Sequence, residues 1–309
     1  MKRILVTGGA GFVGSVLVRK LLSLGFKVRV FDKFMFGAES LFGVWENRNL
    51  EIVKGDIVNV SEVQVAVKDI AAVIHLAAYV GYPMCKKYEK EAVAVNVEGT
   101  KNLCAALDES IPIIFASTGS CYGEVRGICT EETPLNPLSL YAETKVRAEE
   151  VLKSRGNYVI YRFATGYGIS PRMRFDLLIN DFCYRAVNDR NLIVYEKDFS
   201  RTFIHVEDMA SAFVHALYSF DYMEGEVYNV GSEGMNLTKQ EIAERIRRKV
   251  DFYLHYADFG TDEDKRNYVV SYEKIRSTGW NVETDFDQKL EDLINLCQIL
   301  KIKRPYSNV

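Results

Sequence analysis

Short apolar runs alternate with longer amphipathic stretches from the first residues of the chain, and the alternation repeats through its first half. Ile4, Leu5 and Val6 form an unbroken apolar run, the pattern of a strand buried on both faces of a parallel sheet. Residues 12–24 then carry apolar positions at helical spacing, and 27–31 form a second apolar strand that closes on Asp32. The same reading predicts strands over 50–53, 72–75, 112–116 and 158–163, and helices over 60–67, 91–107 and 137–153. Strand, helix and strand repeated in this order predict an α/β fold, a doubly wound parallel sheet with helices on both faces. Ligands of such sheets bind beyond the carboxyl ends of the strands.

The first strand-to-helix turn holds Gly8, Gly11 and Gly14 at spacing i, i+3, i+6. Glycines there permit a tight turn and close backbone approach, and the free N–H groups at the start of the next helix attract phosphate. Phe12 and Val13 supply N–H groups between the glycines. Asp32 closes the next strand 18 residues after Gly14, where a carboxylate accepts hydrogen bonds from both hydroxyls of an adenosine ribose. Strand, glycine triplet, helix, strand and acid in this order predict a Rossmann-type dinucleotide site. Asp32 also repels a 2′-phosphate, which predicts NAD as cofactor, while the neighbouring Lys33 is a cation that works the other way.

The second half is less regular. Residues 172–188, 239–250 and 285–300 read as helices of a smaller C-terminal substrate-binding lobe. Stretches 202–218 and 227–230 are expected to return to the main sheet. The division is therefore a dinucleotide-binding domain over 1–168 with returns near 202–232, interleaved with a substrate lobe over 169–309.

Composition narrows the class. The 309 residues are 48% hydrophobic, enough for a full core, and the net charge of -3 points to neither nucleic acid nor an anionic membrane surface. No apolar run approaches a membrane span, and the chain opens directly on a strand, so a cytoplasmic protein is expected. Six cysteines are scattered without a CxxC pair, and the four histidines add no metal spacing, so reduced thiols and no metal are expected.

Tyr141 and Lys145 stand four residues apart at the start of the 137–153 helix and so share a face. A phenol with its usual pKa of ~10 is a poor base, but a nearby ammonium and a positive nicotinamide ring favour phenolate. Bringing it to about 7 takes about 4 kcal/mol, within reach of two close cations in a partly dry site. The 112–116 strand ends in Ser117, Thr118, Gly119, Ser120, Cys121, Tyr122 and Gly123. A hydroxyl at that strand end can orient a substrate oxygen toward Tyr141.

These motifs resemble, nearly end to end, the extended short-chain dehydrogenase/reductases that act on nucleotide sugars, the epimerase/dehydratase group. The resemblance rests on TGGAGFVG at 7–14, Gly55-Asp56-Ile57, His75-Leu76-Ala77-Ala78, NVEGT at 96–100 and YAETK at 141–145. It implies NAD, with cofactor contacts from Asp56, Ile57, Leu76, Ala77, Ala78, Asn96 and Ser117. It further implies Tyr141 as base, Lys145 on the nicotinamide ribose, and Thr118 as the hydroxyl four residues before the tyrosine of the Tyr-Gly pair, with Ser117 and Ser120 as second choices. Family dehydratases carry Asp-Glu after that threonine; Gly119-Ser120 stand here, which argues against sugar 4,6-dehydration. Thr165 stands where the family often has an asparagine on substrate phosphates.

The substrate implied is a nucleotide-diphosphate sugar, whose two charges suit arginine. The candidates are Arg172, Arg174, Arg201 and Arg266, with Val80, Ser120, Cys121 and Thr165 lining the sugar side. The blocks at 80–86, 117–123 and 169–181 most resemble the GDP-heptose 4-dehydrogenases of bacterial capsule pathways. The expected reaction is oxidation of the sugar C4 hydroxyl to a ketone; the alternatives are a 4-epimerase of the UDP-glucose type and a silent nucleotide-binding sensor. A homodimer or higher homo-oligomer is expected through helices 91–107 and 137–153, with Val93, Val97, Leu103 and Leu107 in an apolar stripe.

Overall fold

Seven parallel strands carry the molecule: β1 (Arg3–Thr7), β2 (Val28–Asp32), β3 (Leu50–Lys54), β4 (Ile70–His75), β5 (Ile113–Thr118), β6 (Tyr158–Phe163) and β7 (Glu226–Val230). In this computed structural model, which describes residues 3–257, 267–300 and 308, their order is β7-β6-β5-β4-β1-β2-β3. The winding direction reverses between β1 and β4, so a crevice opens at their carboxyl ends.

Alternate residues of each strand feed two cores. Ile4, Val6, Ile74, Ile114 and Tyr161 point to the face covered by α1 (Phe12–Ser23), while Leu5, Val73, Phe115 and Ile160 point to the opposite face. That opposite face is covered by α2 (Val60–Ala66), α3 (residues 89–106) and α4 (Leu140–Arg155). Both faces are thus buried, which is why the strands read as unbroken apolar runs. Helix α3 runs through Glu89–Val93, a π turn at Ala94–Glu98, and Gly99–Ala106. Just past the π turn the Thr100 hydroxyl donates back to the Asn96 carbonyl at 2.7 Å, and the Asn96 side chain turns away to bond the loop at Tyr79.

A separate core builds the smaller lobe, from α5 (Leu178–Asn188), α7 (Lys239–Arg247) and α8 (Phe286–Ile299), with Ile179, Cys183, Ile242, Ile246 and Leu290 buried between them. Helix α6 (Val206–Tyr218) instead lies against α1 on the main sheet.

Three expectations change. The helix expected over 172–188 begins only at Leu178; Asn180 Nδ2 reaches back to the carbonyls of Arg174 (2.9 Å) and Gly168 (3.3 Å) and ties the preceding segment down as a loop. Residues 172–174 become a loop. Within 202–218, strand Ser200–His205 does not join the main sheet: β7 already occupies the edge beside β6. It pairs with Thr165–Tyr167 and Asn236–Thr238 in a small sheet of its own. Finally, Val97, Leu103 and Leu107 of the expected dimer stripe are buried within the single chain, and Val93 is half-buried, so the stripe packs on the sheet. Among the described residues no helix is long and apolar enough to cross a membrane, and no cluster of side chains could hold a metal ion.

Candidate active site

The crevice is a cleft of about 310 Å³, the lower end of the range for small-molecule sites. Its floor at one end is the glycine-rich turn. Gly8 has φ of 70°, and a Cβ there would meet Ala77 N at 2.8 Å; at Gly14 a Cβ would meet Gly8 O at 2.2 Å. These two glycines let the turn fold onto the β4 loop and onto itself. A Cβ at Gly11 would meet only Gly8 O, at 3.2 Å, and Gly11 lines the cleft. The first bond of α1 runs from Ser15 N–H to Gly11 O (2.9 Å), so the N–H groups of Phe12, Val13 and Gly14 precede it and stand at the cleft. The turn fits an anionic diphosphate.

Asp32 stands beside this turn. Its carboxylate accepts from Ala10 N–H (3.0 Å) and Phe34 N–H (2.7 Å); burial raises its pKa and those two bonds oppose the rise. Lys33 is tied to Asp56 at 2.6 Å, so its charge is met by a carboxylate of the cleft itself. Asp56, Ile57, Leu76, Ala77, Ala78 and Val80 line the same wall.

A buried hydroxyl–imidazole chain fixes the β4 end. Thr7 Oγ1 accepts from the N–H groups of Leu76 and Ala77, both at 3.1 Å, so its proton goes to His75 Nδ1 at 2.7 Å. His75 Nε2–H then donates to Thr100 Oγ1 (3.0 Å), whose own proton is on Asn96 O. The imidazole is neutral: burial, followed by the Lys145 charge, pushes its pKa down to about 3. Asn96 continues the chain, with Oδ1 on Tyr79 N–H (2.7 Å) and Nδ2 on Thr144 Oγ1 (2.9 Å).

At the other end, α4 begins at Ser139, whose hydroxyl caps Ala142 N–H at 3.3 Å. Tyr141 and Lys145 sit in its first turns and both line the cleft. Lys145 is buried, with its ammonium 4.0 Å over the Phe115 ring. Burial pushes its pKa down to about 8, against the opposing pull of Cys121, Glu149 and Cys85. Thr118 caps the turn Gly119–Tyr122: its hydroxyl accepts from Ser120 N–H (3.2 Å) and donates to Ser120 Oγ (3.0 Å). Ser117 lines the cleft with its proton committed to buried Glu149. The only carboxylates lining the cleft among the described residues are Asp32 and Asp56, both at the glycine-turn end.

The remaining candidates divide. Thr165, Ser120, Arg172 and Arg174 line the cleft, with Arg174 bonded to Asp176 at 2.6 Å. Asn96 is buried behind the wall, and Cys121 is buried beside it with its thiol toward Ala142 O (3.8 Å) and its pKa pushed up to about 12, chiefly by burial. Arg201 is buried in the small sheet and does not line the cleft. Arg266 lies outside the described residues. Sequence reading missed Glu149 and Arg162, a fully buried pair (2.8 Å and 3.1 Å) beneath Ser117 and Lys145. An arginine inside an apolar strand was its signal, since such a charge requires a partner. It also missed Met35, Phe36 and Leu177, loop residues that only folding brings to the cleft.

A glycine-rich phosphate turn, an acid closing β2 and a Tyr/Lys helix at one cleft define an enzyme of the extended short-chain dehydrogenase/reductase class. The chain belongs to the NAD dependent epimerase/dehydratase family, whose pattern matches residues 4–231. It is 33% identical over 307 residues to the low-salt glycan biosynthesis protein Agl12 of Haloferax volcanii, covering 94% of this chain and 97% of that one. The structure of dTDP-glucose 4,6-dehydratase from Bacillus anthracis in complex with NAD superposes with a TM-score of 0.83 at 27% identity, covering 96% of each chain. That of UDP-glucuronic acid 4-epimerase from Bacillus cereus, in complex with UDP-glucuronic acid and NAD, gives 0.86 at 25% identity, covering 96% of this chain and 99% of that one.

Proposed function

We infer that this chain binds NAD and oxidises the C4 hydroxyl of a nucleotide-diphosphate sugar, releasing the 4-keto sugar. The observation that carries the reading is one cleft lined by the Phe12–Gly14 amides at one end and by Thr118, Tyr141 and Lys145 at the other. NAD, when bound, supplies the hydride acceptor. Tyr141 takes the hydroxyl proton. Lys145 is still protonated at pH 7 and favours the phenolate electrostatically. Thr118 orients the substrate hydroxyl by turning its own proton, which Ser120 Oγ otherwise accepts, onto the substrate oxygen. Asp32 favours NAD over its 2′-phosphorylated form, and the pairing of Lys33 with Asp56 supports that preference.

The fate of the ketone separates family members. Loss of water needs a proton donor beside the sugar, and no carboxylic acid lines that end of the cleft among the described residues. This supports ketone release or epimerisation over dehydration. The resemblance of the blocks at 80–86, 117–123 and 169–181 favours a GDP-activated heptose and release of the ketone. The test is to incubate purified protein with GDP-heptose and NAD in D₂O and to follow the sugar by NMR and mass spectrometry. A 4-keto sugar with matching NADH is expected. A C4 epimer without net NADH makes the protein an epimerase, and no reaction with any GDP sugar removes the substrate assignment. A melting-temperature panel of GDP, UDP, dTDP and CDP names the base, since a ligand of the folded state raises it. A homo-oligomer belongs to this reading, and light scattering at micromolar concentration tests it.

A further inference from the structure

Sequence reading sets Arg172 on the substrate. In the structure its guanidinium lies 4.2 Å over the ring of Phe36, a residue that follows β2, and its Nη1 donates to Met173 O at 2.6 Å. Both line the cleft, from segments 136 positions apart in the chain. Each segment is fastened to the glycine-rich turn. On one side Asp32 holds Ala10 N–H and Phe34 N–H, and Ser40 Oγ donates to Ala10 O at 2.8 Å. On the other side Ser170 Oγ donates to Phe12 O at 2.7 Å, lies 3.1 Å from Ser15 Oγ and accepts from Arg172 N–H at 3.2 Å. The Arg172–Phe36 stack therefore closes a ring of contacts that starts at Ala10 in the glycine-rich turn and ends at Phe12 and Ser15 on the first turn of α1.

Packing alone accounts poorly for this contact. Arg172 is 7% exposed, yet Phe36 remains 43% exposed at the cleft, so the ring adds little to the core. Stacking uses the face of a guanidinium, whose charge persists at any working pH and whose N–H groups stay in its plane. A cation beside a helix N-terminus suits a diphosphate doubly. We propose that Phe36 and Arg172 form a strap over the dinucleotide, with Arg172 serving the cofactor rather than the sugar, and that opening this stack limits cofactor release. The proposal rests on the dinucleotide reading above.

Release is measured without turnover. Protein stripped of dinucleotide is loaded with NADH, excess NAD is added, and the decay of bound NADH fluorescence is followed. Phe36→Ala is expected to release NADH roughly tenfold faster than wild type, the size of one such cation–π contact. Phe36→Tyr keeps the slow rate. Arg172→Gln is faster by at least as much, and the double variant is no faster than Arg172→Gln alone, because either change breaks the stack. Phe36→Ala should melt close to wild type in the dinucleotide-free form, its side chain being half exposed. Release by Phe36→Ala within twofold of wild type overturns the strap while leaving the dinucleotide site standing, as do additive effects in the double variant. A wild-type protein that binds no NADH removes both.

Discussion

Lys145→Met should give a protein that is inactive and more stable at neutral pH. Lys145 is buried, and burial lowers its pKa from the ordinary 10.5 to about 8. Each factor of ten in proton affinity is ~1.4 kcal/mol, so keeping the proton at pH 7 costs the fold roughly 3 kcal/mol. The ammonium over Phe115 returns about 1–2 kcal/mol of this. Methionine fills a similar volume without charge, so the net gain should be about 1–2 kcal/mol. The same values set the sign with pH. The folded chain gives up this proton near pH 8 and the unfolded chain near 10.5, so between them the unfolded state holds more protons. Wild-type stability therefore gains through that window, and the full penalty is present below about pH 8. Urea unfolding of both proteins, free of dinucleotide, at pH 7 and pH 10 measures the difference; groups common to both cancel. The variant should be the more stable at pH 7, with the gap closing or reversing by pH 10. A variant less stable at pH 7, or two proteins whose stabilities run parallel with pH, would refute the reasoning.

On the proposed mechanism Tyr141→Phe should lose ~10²–10⁴-fold in kcat with its circular dichroism unchanged, and Thr118→Ala should lose less, as one orienting bond is removed. Glu149→Gln should destabilise by about 3–5 kcal/mol in urea unfolding, since it strands the buried Arg162 charge, while the double change Glu149→Met with Arg162→Leu should recover most of that loss. His75, neutral in the fold to about pH 3, takes a proton near 6.5 when unfolded, so stability should fall as pH drops from about 6.5 toward 3. His75→Gln should flatten that part of the acid limb, measured by urea midpoints across the same range.

The frame of the site is legible in short stretches of the chain. Unbroken apolar runs require strands buried on both faces, and three glycines at fixed spacing require the turn that bares the α1 amides; both are matters of a few neighbouring residues. Tyr141 and Lys145 share the cleft because four residues make one helical turn. Tertiary structure decided the rest. A strand pattern over 200–205 says nothing about which sheet has a vacant edge, and that choice carried Arg201 away from the cleft. The segment before α5 is held as a loop by the Asn180 side chain on Arg174 O, a contact that helix periodicity does not register. Charges were the least legible. Whether Lys33 faces a phosphate or Asp56, and which ring Arg172 stacks on, depends on residues far along the chain. Periodicity reports which face of an element is buried; only the packed fold reports what each charge on that face is set against.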